Sequence, residues 1–291
     1  LFNEAGTLKE LAKGIREQMR LLNKSYEIIF VNDGSTDSSS DILKELSRED
    51  KNVVIVPFKR RFGKADGLMA GFKKASGGII FTMDADLQDD PQELHKFIDK
   101  INEGYDLVSG WKYDRKDPLE KKIFSRIFNT VVRSFSGVKL HDMNCGFKAY
   151  TKEAAKSLNI YGELHRFIPI LAAWEGYSIA EITVKHNPRT YGKSKYGLSR
   201  VFKGFFDFST VLFLTKFNKR PMHLFGALAL VCLLFGVVLN VYFGWLWLVT
   251  GQLHVRPLLV LGWVLLILAI QFFSIGLLGE MICNMRSHEK I

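Results

Sequence analysis

Residues 78–91 read GIIFTMDADLQDDP. The first six residues form a short run rich in β-branched and aromatic side chains, the pattern of a buried strand. The run ends in Asp84-Ala85-Asp86-Leu87-Gln88-Asp89-Asp90, and Pro91 then opens a helical pattern that carries Leu94, Phe97, Ile98 and Ile101. Four carboxylates within seven residues at a strand end are costly unless water or a cation meets them. Mg²⁺ is characteristically held by one or two carboxylates together with substrate phosphates and water. A calcium loop is the rival pattern, since Asp84, Asp86 and Gln88 fall at its first ligand positions. It fails because Asp89 stands where the required Gly belongs and His95 where the bidentate Glu belongs.

Working outward, residues 26–31 (YEIIFV), 52–56 (NVVIV) and 106–111 (DLVSGW) read as further strands. Leu8, Leu11, Ile15 and Met19, and then Ile42, Leu43 and Leu46, recur at helical spacing between them. Alternating strands and helices predict an α/β domain with a mostly parallel sheet covered on both faces. Such sheets bind ligands beyond the carboxyl ends of their strands. There the strand 26–31 presents Asn32-Asp33-Gly34-Ser35-Thr36-Asp37. Gly34 permits a tight turn, and Asp37 or Ser38 can cap the next helix. Asp33 is placed to accept hydrogen bonds from a base or a ribose, although an ordinary strand-turn-helix junction would look the same.

A basic, partly amphipathic helix is expected over residues 119–135, followed by a second α/β stretch to about residue 186 and a loop over 187–197. Residues 199–218 (SRVFKGFFDFSTVLFLTKFN) mix many Phe with Arg200, Lys203 and Lys216, which predicts helices lying in a membrane interface. Beyond them no Asp, Glu, Lys or Arg occurs between Arg220 and Arg256, or between Arg256 and Glu280. Each window supplies the ~20 apolar residues that a membrane-crossing helix needs, and the spans are placed at residues 222–243 and 257–278. The expected organisation is a catalytic domain over 1–198, juxtamembrane helices over 199–219, and a transmembrane hairpin with a tail over 220–291.

The formal net charge is +10, but the basic residues concentrate at 112–133 and 189–220, beside the apolar segments. That distribution fits anionic head groups or phosphates better than nucleic acid. Cys145, Cys232 and Cys283 make no disulfide framework. Gly192-Lys193-Ser194 imitates the end of a phosphate-binding P-loop, yet Asn187 stands in place of its first Gly.

Taken together, Phe2-Asn3-Glu4, the 32–37 turn and the 84–91 turn resemble the family 2, GT-A-type (Rossmann-like) inverting glycosyltransferases. His141-Asp142-Met143-Asn144-Cys145-Gly146-Phe147-Lys148, His165-Arg166-Phe167-Ile168-Pro169, Arg189-Thr190-Tyr191-Gly192-Lys193-Ser194-Lys195-Tyr196-Gly197 and Arg220-Pro221-Met222-His223 narrow the match. With two C-terminal spans, the pattern looks like that of the polyprenyl-phosphate glycosyltransferases, nearest to the bactoprenol glucosyltransferases and further from dolichol-phosphate mannose synthase. The chain begins at Leu1, and the family's first strand and the Pro before the aromatic-Asn-Glu triplet are expected ahead of it.

The resemblance implies a nucleotide-sugar donor, UDP-glucose first, with GDP-mannose or another UDP-sugar as alternatives. It implies a polyprenyl phosphate acceptor and an inverted product linked through one phosphate. Phe2, Asn3, Glu4, Asp33 and Asp84 would hold the nucleoside, while Asp86 and Gln88 would bind Mg²⁺ or Mn²⁺. Asp142 matches the carboxylate placed near the reacting carbon. A phosphate monoester with a second pKa of ~6 is already a competent nucleophile at neutral pH, so Asp142 orients or relieves a residual proton, unless it is simply a structural carboxylate of its turn. A polysaccharide synthase would need further spans and a Q-x-x-R-W motif, and a non-catalytic scaffold would be expected to lose Asp86 or Asp142.

The acceptor phosphate is expected on basic residues near the membrane: Arg115, Arg126, Arg189, Lys193 and Lys195. Arg offers a planar fork and Lys a point charge. The alternative is that these charges merely hold the domain to anionic lipid. Lys216, Lys219 and Arg220 precede the first span and Arg286 and Lys290 follow the second, against Arg256 alone between them. The positive-inside rule then puts the catalytic domain and the C-terminus in the cytoplasm, at a bacterial-type inner membrane. A two-span anchor also leaves apolar surface on which copies of the chain could pack.

Overall fold

Apolar residues at helical spacing place α1 (Leu8–Leu21) against the sheet, with Leu8, Leu11 and Met19 buried. A computed structural model describes residues 1–113, 137–185, 187, 207–217, 220–252 and 256–288. The chain forms two compact units, Leu1–Val211 and Leu212–Ile291. The expected basic helix at 119–135 and most of the loop at 187–197 lie outside the described residues.

In the first unit β1 (Ile28–Asn32) pairs in parallel with β2 (Val53–Pro57) across α2 (Ser39–Glu49), as the βαβ pattern predicts. Leu1 continues the ladder on the other side of β1: its amino group donates to the Val31 carbonyl (2.8 Å) and its carbonyl accepts from Asp33 N–H (2.9 Å). The remaining strands are β3 (Ile79–Thr82), β4 (Leu107–Trp111), β5 (Lys148–Thr151) and β6 (Ile179–Thr183). They form a four-stranded sheet in the order β3-β5-β4-β6.

The four predicted strands exist within a residue or two of their expected bounds. The expectation of a mostly parallel sheet is corrected, because β5 runs antiparallel to both β3 and β4, while β4 and β6 are parallel. Hydrophobic patterning sets which face of a strand is buried and is silent on its direction. β5 also follows a long excursion after β4, which frees it to enter from either end.

Both faces of this sheet are covered. On one, Phe81, Val108, Phe147, Ala149, Ala180 and Ile182 pack with Met19 of α1 and with Leu94 and Phe97 of α4 (Leu94–Asn102). Phe97 lies 4.4 Å from Phe147, centroid to centroid. On the other, Phe72 of α3 (Lys64–Lys74) meets Tyr150 edge-on at 5.1 Å. α5 (Lys152–Ser157) and α6 (Ile168–Trp174) bury Ala154, Ala155, Ile168 and Ile170. Within this unit Asp207 pairs with Arg166 at 4.0 Å and the Phe208 ring lies 6.3 Å from that of Phe167.

The second unit is a hairpin of α7 (Pro221–Thr250) and α8 (Pro257–His288). At ~1.5 Å of rise per residue both exceed the ~30 Å of a bilayer core. Their flanks expose Leu230, Val238, Leu248, Ile267, Ile270 and Leu278, which water would not tolerate and lipid does. Small residues sit where the helices touch: a Cβ on Gly236 would come within 3.0 Å of Leu266, and one on Gly262 within 2.7 Å of the Asn240 amide. Asn240 Nδ2 donates to the Gly236 carbonyl at 2.7 Å, so its polar group is satisfied inside its own helix. Glu280 accepts from Met222 N–H at the first turn of α7 (3.3 Å).

Candidate active site

Three turns converge at the carboxyl ends of β1 and β3. Asn3 is the clasp of the first, since it adopts a left-handed φ of 56°. Its Oδ1 accepts from Thr36 N–H (2.8 Å) and its own N–H donates to Ser35 Oγ (3.1 Å). Glu4 N–H donates to Ser39 Oγ (3.1 Å) and Ala5 N–H to Asp37 Oδ2 (3.2 Å). Asp37 therefore does more than begin α2: its other oxygen accepts from Ser39 N–H, while Ser38 makes no side-chain cap. Thr7 Oγ1 donates to the Ala85 carbonyl (2.6 Å) and so ties α1 to the acidic turn.

Asp33 is nearly buried, and both its oxygens face the loop after β2. They accept from Phe62 N–H (2.7 Å) and Gly63 N–H (3.0 Å). A carboxylate oxygen has a second lone pair, so Asp33 can hold this loop and still accept from a ligand. Gly34, at φ 70°, lets the Arg60 backbone approach to where a Cβ would lie 2.7 Å away. The loop so built presents Lys59, Arg60 and Arg61, and the Arg61 guanidinium lies 4.4 Å over the Phe2 ring.

The acidic turn is divided among cations. Lys64 pairs with Asp84 at 2.5 Å, Lys112 with Asp89 at 2.8 Å and Lys185 with Asp90 at 3.7 Å. Asp89 Oδ2 also accepts from Asp84 N–H, and Asp90 caps the short helix Pro91–Glu93. Burial opposes charge on Asp84, yet Lys64, with Lys112 and Lys148 behind it, holds its pKa below the usual aspartate value. Burial likewise opposes the Lys112 ammonium, but Asp89 keeps its pKa above the ordinary lysine value. Asp86 is buried and its Oδ1 accepts from Gln88 N–H (3.2 Å) across Leu87, which is held at a left-handed φ of 60°. A non-glycine residue pays of order 1–3 kcal/mol for that conformation, a strain found where a site demands it. Asn187 N–H reaches the same turn and donates to the Gln88 carbonyl (3.0 Å).

Among the described residues no three His, Cys, Asp or Glu side chains converge into a closed cage. The Asp86 carboxylate and the amide oxygen that Gln88 can offer are the donors of a hard cation that takes its other ligands from a diphosphate and water. The residues fit Mg²⁺ or Mn²⁺ on that condition.

The 141–146 turn closes the site from the β4–β6 side. Asp142 is buried; its Oδ1 accepts from Asn144 N–H (3.3 Å) and its N–H donates to Glu181 Oε1 (2.9 Å). Thr82 Oγ1 donates to the Gly146 carbonyl (2.8 Å), and Gly146 lies so close to the acidic turn that a Cβ would stand 2.5 Å from Asp84 Oδ2. Lys148 is buried, donates to the Cys145 carbonyl, and is within electrostatic reach of Asp142, Lys64 and Asp84. Burial lowers its pKa and pushes the neighbouring Cys145 thiol up to about 11, so that thiol is inert at neutral pH.

A cation-carboxylate turn at the carboxyl end of a sheet strand, joined to a clasped N-terminal triplet, stands where open α/β sheets bind their ligands. Residues 1–158 match the family described as Glycosyl transferase family 2. The chain belongs to that family. It is 36% identical over 290 residues, covering 98% of this chain and 86% of the other, to the dodecaprenyl-phosphate galacturonate synthase of Rhizobium johnstonii (strain DSM 114642 / LMG 32736 / 3841). It is 34% identical over 287 residues, covering 97% and 86%, to the undecaprenyl-phosphate 4-deoxy-4-formamido-L-arabinose transferase of Edwardsiella ictaluri (strain 93-146). The structure resembles glucosyl-3-phosphoglycerate synthase from Mycobacterium tuberculosis in complex with Mn²⁺, UDP-glucose and phosphoglyceric acid. That likeness has a TM-score of 0.55 at 18% identity, over 73% of this chain and 77% of the other, and it shows the GT-A fold.

This family 2 glycosyltransferase thus brings together Phe2, Asn3, Glu4, Asp33, Asp84, Asp86 and Gln88, with Asp142 on the adjoining turn. Arg115, Arg126, Arg189, Lys193 and Lys195 lie outside the described residues. Sequence reasoning missed Lys64, Lys112, Lys148, Glu181 and the Lys59–Arg61 loop. Lys148 stood within a quoted motif without a role. Glu181, a carboxylate in the apolar run SIAEITV, was a legible signal, because a buried charge must be hydrogen-bonded.

Proposed function

We propose that this glycosyltransferase moves a sugar from a nucleotide sugar to a polyprenyl phosphate, with inversion, at the cytoplasmic face of a membrane. The observation that carries this reading is the 36% identity to a dodecaprenyl-phosphate galacturonate synthase across 98% of the chain, with both apolar helices inside the match. An acceptor that lives in the bilayer gives a soluble fold reason to carry such an anchor.

In this reading Asp33 and the Phe2–Glu4 triplet hold the nucleoside. Asp84, poised against Lys64, faces the donor, and Asp86 and Gln88 hold a divalent ion. Bound Mg²⁺ or Mn²⁺ would neutralise the diphosphate as it leaves. An acceptor phosphate oxygen attacks the anomeric carbon from the face opposite the diphosphate, the bond from that carbon to the diphosphate oxygen breaks, and the nucleoside diphosphate departs. The dianionic acceptor needs no strong base, so Asp142 orients the acceptor or a sugar hydroxyl. The acceptor phosphate is held by Arg115, Arg126, Arg189, Lys193 and Lys195; the contact of Asn187 with Gln88 supports this, since the segment bearing the last three begins there. Of the segment expected at the membrane interface, the described part is a helical run at 207–212 and a π turn at Phe213–Phe217, and an interfacial role suits its mix of Phe and cations.

The donor panel opens with UDP-glucose, which the resemblance implies, beside GDP-mannose and other UDP-sugars; nucleotide-linked galacturonate and 4-deoxy-4-formamido-L-arabinose join it because two relatives are named for those sugars. The test incubates purified protein with undecaprenyl phosphate and each donor and identifies the lipid product by mass. A product heavier by one sugar residue supports the reading; no product with any nucleotide sugar overturns it.

A further inference from the structure

One row of residues crosses the whole four-stranded sheet at the level of the site. Thr82 is paired with Lys148, Lys148 with Ser109, and Ser109 with Glu181, so their side chains share one face. Their neighbours Phe81, Val108, Ala149, Ala180 and Ile182 belong to the apolar core on the opposite face. Four polar side chains on the inner face of a covered sheet are costly unless they do something. Thr82 anchors the Gly146 carbonyl, and Lys148 anchors that of Cys145. Glu181 anchors the front of the same turn with more bonds than either.

The Glu181 carboxylate accepts from His141 N–H through both oxygens (2.8 and 3.0 Å), from Asp142 N–H (2.9 Å), and meets His141 Nδ1 at 2.7 Å. The His141 ring is in turn stacked on Trp111, 4.2 Å between centroids and 14° from parallel. Trp111 is the last residue of β4 and Glu181 sits mid-way along β6, so two strands fix the approach of the turn. Glu181 is mostly shielded from water, with a side chain 10% exposed, where a carboxylate accepting backbone N–H groups is strong and directional.

We infer that Glu181 is a positioning residue for the transfer, holding the His141–Asp142 backbone so that the Asp142 carboxylate faces the reacting carbon. This rests on the proposed role of Asp142. Oε1 accepts from both successive N–H groups, and Oε2 from His141 N–H and its ring. An amide can put its one oxygen in the Oε1 place, but it loses the charge that strengthens both bonds and turns a donor toward His141. Glu181→Gln therefore changes the hold on the turn while nearly preserving size, and Glu181→Asp keeps the charge but draws it back by one methylene.

The experiment uses the full chain in detergent with undecaprenyl phosphate and the donor found by the panel above. Amide hydrogen exchange over residues 141–146 is expected to be about tenfold or more faster in Glu181→Gln, since two protecting bonds are weakened. Turnover at saturating substrates is expected to fall about tenfold or more, given that a ~1 Å misplacement can cost on the order of 100-fold. Donor KM should stay within about twofold. The double variant Glu181→Gln/Asp142→Asn should be no slower than Asp142→Asn alone, the non-additivity expected of residues acting as one unit. Glu181→Asp should show the same division between turnover and donor KM, which also serves if Glu181→Gln does not fold. Unchanged exchange, turnover within twofold of wild type, or losses that multiply in the double variant would each overturn the inference. If the wild-type protein makes no lipid product, the acceptor reading fails separately, and the exchange measurement still decides whether Glu181 holds the turn.

Discussion

Asp86 shows how much can depend on one side chain of the acidic turn. Asp84, Asp89 and Asp90 are each engaged by a lysine, and Asp86 and Gln88 supply too few ligands to bind a cation strongly by themselves. Mn²⁺ should accordingly bind weakly to the free protein and tightly once a nucleoside diphosphate is added, as titration calorimetry can show. Asp86→Ala should cut turnover by about 100-fold or more, the scale of losing a preorganised charge partner, and EDTA should do the same to the wild type. Full activity in EDTA would remove the metal from the mechanism. His165 gives a second residue-scale expectation. Burial, with Lys64 nearby, lowers its pKa to about 4, below an ordinary value of 6.5. Folding therefore favours the neutral ring: above about pH 6.5 the group is stability-neutral, and between 6.5 and 4 the unfolded chain binds the proton first. The melting temperature should fall across that window, and His165→Gln should flatten the fall.

At the scale of elements, glycines mark where two segments must approach. Gly34 combines a left-handed φ of 70° with an Arg60 backbone carbon 2.7 Å from any added Cβ. Gly34→Ala should cost about 1–3 kcal/mol and weaken nucleotide binding, because the same movement drags the Lys59–Gly63 loop away from Asp33. Equal affinity for UDP in the variant would show that this loop does not shape the donor site. In the hairpin, Gly262 admits Asn240 and Leu239 at 2.7 and 3.2 Å. Gly262→Leu should lower the thermal midpoint in detergent by an amount equivalent to about 1–3 kcal/mol, whereas the same change at Gly244, where nothing lies within 4 Å, should be tolerated.

For the whole molecule, the distribution of charge around the hairpin bears on orientation. Tyr242, Trp245, Trp247 and Trp263 stand exposed around the turn between α7 and α8, while Arg220 and Glu280 mark the other end. Aromatic rings anchor in either head-group layer, and an excess of cations marks the cytoplasmic one. A reporter enzyme fused after Ile291 should therefore read as cytoplasmic, and a cysteine introduced near Arg256 should react with impermeant reagents from outside the cell. The opposite pair of results would place the catalytic unit away from the compartment where nucleotide sugars are made.

The sequence by itself determined four of the six described strands, the buried face of α1, the two apolar helices and the class of reaction. Leu8, Leu11 and Met19 lie at helical spacing and are buried, the four read strands exist, and the two uncharged windows are the hairpin helices, though α7 and α8 run beyond the 222–243 and 257–278 bounds. Periodicity and charge are local properties, so a single chain displays them. Which turns meet was decided only by the tertiary structure. The antiparallel course of β5, the lysine partners of the acidic turn, and the Thr82–Lys148–Ser109–Glu181 row all join residues tens of positions apart. Their pairing follows from register and strand direction, which depend on how the whole sheet packs and leave no mark on any one segment.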